Sequence, residues 1–227
     1  MFDWQAIRLT FLLAATTAAI LIAVGLPVAW WLASTRSRGR GWVEAVVALP
    51  LVLPPTVIGF YLLVLLGPRG PVGMAIESVL GLRLVFSFSG IVVASVLYSM
   101  PFAVQPFTAG FRAVDRRLIE ASWCLGVSRL STFFRIILPL SWPGLMAGIV
   151  LSFSHTVGEF GVILMVGGNI PGATRTISVS IYDSVQAMDY SAAGWTAGLL
   201  LVFSFLVLSA MYSLQTRTRT PVWPKAS

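Results

Sequence analysis

The sequence predicts an all-α fold: a polytopic membrane bundle of about five transmembrane helices, with a short helical segment on the cytoplasmic side between the third and the fourth. Three observations carry that expectation. Of the 227 residues, 57% are hydrophobic and 10% are charged, with mean hydropathy +0.90, so polar side chains are too few to cover a core in water. The apolar residues fall in windows long enough to cross roughly 30 Å of hydrocarbon. These windows run without alternation, and a bilayer offers backbone amides no water to bond, so helices are expected and a barrel is not.

The windows are Leu9 to Ser34, Val43 to Leu66, Gly90 to Phe111, Leu140 to Val166 and Ser191 to Leu214. The first is far longer than the roughly 7 to 15 apolar residues of a secretory signal core and is expected to persist as a helix. Arg36, Arg38 and Arg40 follow the first window, Arg112, Arg116, Arg117, Arg129 and Arg135 the third, and Arg217, Arg219 and Lys225 the fifth. Only Arg8, Arg69, Arg83 and Arg175 fall on the other side, so the positive-inside rule predicts an outside amino terminus and a cytosolic carboxyl terminus. The net charge of +7 is thereby topological, with some attraction to anionic lipid, and requires no nucleic acid. The whole chain, 1–227, reads as one membrane domain, and 112–139 as a cytoplasmic loop within it. Pro27, Pro50, Pro54, Pro55, Pro101, Pro106 and Pro143 lie in or near spans, where proline kinks helices. Trp4, Trp30, Trp31, Trp42 and Trp142 lie near span ends, as interface anchors do. Cys124, the single cysteine, permits no internal disulfide and falls in the cytosolic segment.

Within 112–139, Asp115 is an expected N-cap, Leu118, Ala121, Ser122 and Leu125 share a helical face, and Gly126 stands where a left-handed residue would end the helix. A second helix is expected from near Ser128, with Leu130, Phe133, Phe134 and Ile137 on its apolar face. Pro139 is then expected to open the fourth span, where a missing amide donor does little harm.

Glu120-Ala121-Ser122, three residues, Gly126, nine residues and Ile136-Ile137-Leu138-Pro139 together resemble the EAA loop of ABC-importer permeases. Position 122 departs from that family's commoner alanine. The resemblance implies a coupling helix that docks into a separate cytosolic ATPase, with Glu120, Ala121, Ser122, Gly126, Leu138 and Pro139 as its contact and shaping residues. It also implies a homodimer around a shared pathway. Leu49 to Gly59, Gly158-Glu159-Phe160-Gly161 and the run from Gly168 to Ile177 resemble the molybdate and tungstate importer permeases; sulfate and thiosulfate permeases share the Gly-Glu-Phe-Gly part. An extracytoplasmic oxyanion-binding protein and placement in a bacterial cytoplasmic (inner) membrane are implied likewise.

No G-x-x-x-x-G-K-[ST] occurs and the only lysine is Lys225, so the chain builds no P-loop and is expected to be no enzyme; ATP and Mg would be bound by the partner ATPase. Glu159 is the costly residue, since a carboxylate at membrane depth costs about 2.5 to 3.5 kcal/mol and must face protein or water. With Gly158, Phe160, Gly161 and His155 it forms the candidate gate of the pathway. His155 precedes it by four residues, on the same helical face, and is placed to donate a hydrogen bond to it. One histidine and one carboxylate are too few for a metal site. Arg175, with Thr174 and Thr176, is the candidate outer contact for an oxyanion or a binding protein, a loop-stabilising role being the alternative. The competing functional readings are a sulfate or thiosulfate permease and a gradient-driven carrier relaying protons through Glu159 and His155.

Overall fold

In the computed structural model, which describes residues 3–218, those residues form helices and connecting turns with no strand among them. The first helix, α1 (Trp4–Ser34), opens on Asp3, whose side chain accepts the Ala6 amide at 3.0 Å, and crosses in one piece despite Pro27. After a basic turn come α2 (Arg40–Val52) and α3 (Pro55–Leu66), bent 113° from each other. The expected second span is thus a broken one. Two successive prolines remove two amide donors, and the residue before Pro54 is driven out of helical geometry, Leu53 lying extended at ψ 137°.

A short hairpin element, α4 (Pro71–Leu80), leads to α5 (Phe88–Arg112), the helix against which α1, α2, α3 and α10 (Gly161–Gly167) all pack. The segment that follows holds α6 (Arg116–Cys124), α7 (Arg129–Thr132), a π-helical turn at Phe133–Ile137 and α8 (Leu138–Leu140). The chain then bends by 68° at Ser141 into α9 (Trp142–Gly158). The expected fourth span, Leu140 to Val166, is therefore also divided: it begins at Trp142 and breaks at Glu159 and Phe160 before α10. Two further helices, α11 (Ile177–Gln186) and α12 (Tyr190–Thr218), complete the fold. Among the described residues α1, α5 and α12 are each long and apolar enough to span alone, and each of two bent pairs adds a span if counted as one, up to five.

The core has two centres. One joins Leu21 and Leu32 of α1 to Phe107 and Phe111 of α5 and Leu145 of α9. The other joins Leu62 and Leu66 of α3 to Val162 and Val166 of α10, against Ala94 of α5. Helices α5 and α9 approach backbone to backbone: a Cβ on Gly144 would stand 2.6 Å from the Gly110 Cα, the close contact that small residues allow inside membranes. Little of α12 is buried; Trp195, Leu201, Phe205 and Leu206 are exposed, as suits a peripheral helix facing lipid. The basic residues Arg219 and Lys225 expected after the fifth span lie outside the described residues.

Candidate functional site

The segment between α5 and α9 is a rigid elbow made of local hydrogen bonds. Asp115 caps α6 by accepting the Arg117 amide at 2.9 Å. At the far end Gly126 adopts φ 78°, its amide donates to the Trp123 carbonyl, and the Val127 amide donates to the Ser122 carbonyl, each at 3.0 Å. This pair of bonds is the Schellman closure that a left-handed glycine permits. The chain turns at once, and Ser128 caps α7 by accepting the Ser131 amide at 3.3 Å.

Across the turn the Ser122 and Thr132 hydroxyls, both buried, lie 2.9 Å apart and join α6 to α7. Position 122 is therefore a fastening point, which its size alone did not reveal. Glu120 is exposed and accepts from Arg116 Nε at 2.8 Å one helical turn earlier. Beside it Ala121, Leu118 and Leu125 are exposed on the outer face of α6, leaving a small apolar knob with a carboxylate at its edge.

The expected apolar face of the second helix is split. Ile137 is buried and Phe133 packs against the core, but Leu130 and Phe134 are exposed. For Phe134 the cause is the π turn: one extra residue rotates the helix after Phe133, so the 3.6-residue pattern no longer follows one face. The Leu138 amide reaches back to the Phe133 carbonyl, and Pro139, with no amide to give, sits exposed just beyond. Pro139 thus ends the elbow and does not open the fourth span. Ser141 is the pivot, its hydroxyl donating to the Ile137 carbonyl at 2.5 Å.

Inside the bundle the breaks of the two divided spans meet. A Cβ on Gly161 would stand 2.9 Å from the Pro55 Cβ, and one on Gly59 would stand 2.6 Å from the Met165 Cβ, so α3 and α10 touch from their first residues into their second turns. Glu159 occupies the break itself, with extended backbone at ψ 133° and its amide donating to the Thr156 carbonyl at 3.3 Å. Its side chain is 4% exposed, and neither carboxyl oxygen has a hydrogen-bond partner among the described residues. Ser95 of α5 lies beside it without reaching bonding geometry, and its own hydroxyl is likewise unpartnered.

The expected bond between His155 and Glu159 is absent, because Glu159 leaves the helix before the four-residue spacing can place it over His155. His155 Nδ1 lies 2.9 Å from the Ser99 hydroxyl instead, and its ring stacks on Phe102 at a centroid distance of 3.9 Å. Ser99 also reaches the Thr156 hydroxyl at 3.0 Å. A Cβ on Gly158 would meet nothing within 4 Å, and Phe160 leans its ring on Tyr182 of α11 at 4.9 Å. Pro54, Pro55 and the two glycines around Glu159 were the sequence signal for these breaks; nothing in the sequence indicated that they touch.

At the opposite end Arg175 is turned into its own loop. Its guanidinium donates to Asn169 Oδ1 at 2.5 Å and stands 3.4 Å from Asp183 and 4.0 Å from Asp3. Thr174 is buried, donating to the Gly167 carbonyl at 2.7 Å and accepting the Ile170 amide at 3.1 Å. Thr176 is buried beside them. The trio ties the loop after α10 to α11 and to the start of α1, and the geometry favours the loop-stabilising role over an anion contact. No group of three or more histidine, cysteine or acidic residues able to hold a metal exists among the described residues.

The described residues thus form a helical bundle with two interrupted spans and a rigid knob between spans. Its fold matches that of a bacterial alginate ABC transporter solved with a pentasaccharide-bound periplasmic protein (TM-score 0.76, 19% identity, 96% of this chain and 80% of that one). It also matches the MetNI methionine ABC transporter in inward-facing conformations (TM-score 0.69, 16% identity, 96% of both chains). The family model described as "Binding-protein-dependent transport system inner membrane component" matches residues 25–220, and the chain belongs to that family. It is a multi-pass membrane transport subunit and not an enzyme. Curated relatives include the molybdenum transport system permease protein ModB of Azotobacter vinelandii, 56% identical over 93% of both chains. ModB of Escherichia coli K12 is 37% identical over 81% of this chain and 80% of its own. A probable sulfate transport permease, cysT, of Chlorella vulgaris is 34% identical over 94% of this chain and 81% of its own.

Proposed function

We propose that this chain is the membrane subunit of a molybdate importer, working as a homodimer with two cytosolic ABC ATPase subunits and an extracytoplasmic oxyanion-binding protein. The amino terminus is outside and the carboxyl terminus cytosolic, so the elbow at 112–139 meets the ATPase. ATP and Mg are held by that partner. The observation that carries the reading is the elbow itself: two short helices locked by the Gly126 turn and the Ser122–Thr132 hydroxyl pair, presenting an exposed apolar face. A knob that cannot flex transmits displacement, and it is continuous through Ser141 with α9, which ends at Glu159. ATP-driven closure of the ATPase would then move α9 and shift the break where α10 meets α3, alternating access to a path between two copies.

Molybdate is favoured over sulfate by the 56% identity to ModB of Azotobacter vinelandii over 93% of both chains, against 34% to the sulfate permease of Chlorella vulgaris. Tungstate, of the same charge and tetrahedral shape, is expected to share the path. The proton-carrier reading loses its relay, since His155 is bonded to Ser99 and not to Glu159. The test is uptake into proteoliposomes holding this chain with its ATPase and binding protein, with molybdate, tungstate and sulfate in competition. ATP-dependent molybdate uptake that excess sulfate leaves intact is the expected result. Equal competition by sulfate would move the chain to the sulfate branch, and uptake indifferent to ATP would overturn the importer.

A further inference from the structure

A groove of about 880 Å³ runs between the carboxyl-terminal half of α1 and the elbow. Its α1 wall extends from Ile22 and Ala23 to Ser34 at the helix end. At about 1.5 Å per residue those positions lie roughly 18 Å apart along the axis, about the depth of one bilayer leaflet. The floor is apolar, with Trp30 set edge-on to Phe111 and Phe133 behind it. The mouth is polar, and it carries a single charged side chain, Arg129.

Arg129 is exposed, its guanidinium stands 5.6 Å from the centre of the Trp123 ring, and it makes no ion pair among the described residues. The nearby Glu120 is already held by Arg116. Arg36, Arg38 and Arg135, all exposed, place further positive charge at the same end of the bundle. A cleft that is apolar at membrane depth and cationic at the interface matches a molecule with an acyl chain and an anionic head. A water-borne anion would find no use for the floor, and a cytosolic protein could not reach Ile22. We infer that this groove binds one anionic phospholipid of the cytoplasmic leaflet, its phosphate on Arg129 and a chain along α1, joining the elbow to the membrane beside it.

The leaflet, though not the binding, rests on the orientation proposed above. Native mass spectrometry of the purified full chain, carried in phosphatidylglycerol or phosphatidylcholine and then exchanged into detergent, reads the site without transport. The chain is expected to retain one phosphatidylglycerol and to release phosphatidylcholine. Arg129→Gln, an exposed change that leaves the elbow's caps untouched, should lower retention about fivefold, as expected for one basic side chain at an anionic surface. Ala23→Trp, which fills the exposed floor and spares Arg129, should displace the lipid as well. Equal retention of the two lipids, or unchanged retention in both variants, would overturn the site. A loss of dimer in Ala23→Trp with phosphatidylglycerol still bound would assign the groove to a second copy instead. Failure of uptake with lipid retention intact would fault the importer reading alone.

Discussion

The elbow and the meeting of the two broken spans differ in how they are held. The bonds that fold the elbow on itself join residues no more than ten apart, from the Asp115 cap to the Ser122–Thr132 pair, and only Arg112 at its start reaches out, to the Leu32 carbonyl and Glu44. The break is shaped by packing between segments far apart in sequence, Gly59 on Met165 and Pro55 on Gly161, and its one ionisable group has no partner. The elbow is fixed and exposed, as a part that receives force must be; the break is buried and incompletely bonded, as a part that changes shape can be. The contrast predicts that substitutions in the break alter the equilibrium between conformations, and substitutions in the elbow alter its connection to the ATPase.

The largest effect is expected at the α3–α10 contact. Gly59→Leu forces a side chain into the space of Met165, and overpacking of this kind costs about 3 kcal/mol. The folded chain should lose several degrees of thermal stability in detergent, measured by size-exclusion after heating. An unaltered midpoint would mean that the two half-spans are not in firm contact. The next effect has the opposite sign. Glu159→Leu removes a buried carboxyl with neither oxygen bonded, a defect worth about 1 to 3 kcal/mol, so the chain should melt higher while ATP-driven uptake falls. If stability dropped instead, the carboxyl would have partners in the resting state and the break would be no reservoir for movement.

A smaller change, and one confined to the elbow, is expected from Gly126→Val. The site has room for a side chain, since nothing lies within 4 Å of a Cβ there, but φ of 78° disfavours a β-branched residue by about 1 to 2 kcal/mol. Membrane insertion should be kept and melting should fall by no more than a few degrees, while uptake per ATP hydrolysed should drop well beyond what that loss of folded chain explains. Full uptake by this variant would remove the elbow from the coupling path.

The same contrast explains what could be read from the residues. Asp115, Gly126 and Ser128 announce caps and turns because each backbone need is met by a residue type suited to it nearby. The five apolar windows announced a helical membrane bundle for an equally local reason. What stayed hidden was long-range or cumulative: that Pro54–Pro55 and Glu159–Phe160 break their spans at one place, that His155 pairs with Ser99 across helices, and that a π turn rotates Phe134 outward. Hydropathy averages over such breaks, since the residues on either side remain apolar. Arg175 shows the converse case: the sequence left a charged loop residue open between an outer contact and a loop-stabilising role, and the Asn169 and Asp183 that meet it are brought there only by the fold.

Ser122→Ala gives the finest division between the two regions. The change restores the residue commoner at this position in the EAA loop, adds no volume and raises intrinsic helix propensity, so a loosened joint can come only from the lost hydroxyl. In this chain the hydroxyl is buried, lies 2.9 Å from Thr132 Oγ1 and donates to the Ile119 carbonyl at 2.8 Å. With Ser122 donating to Ile119, the single Thr132 proton is shared between Ser122 Oγ and the Ser128 carbonyl at 3.1 Å; in the variant it goes to Ser128 alone, so the loss leaves no orphaned group and should cost about 1 kcal/mol or less. That cost falls wholly on the joint between α6 and α7. Global melting should barely move, while hydrogen exchange of the Gly126 and Val127 amides, which close the turn, should quicken several-fold. Faster exchange at Gly161 or Met165 as well would show that the elbow and the break are one cooperative unit, and the separation drawn between them would have to be given up.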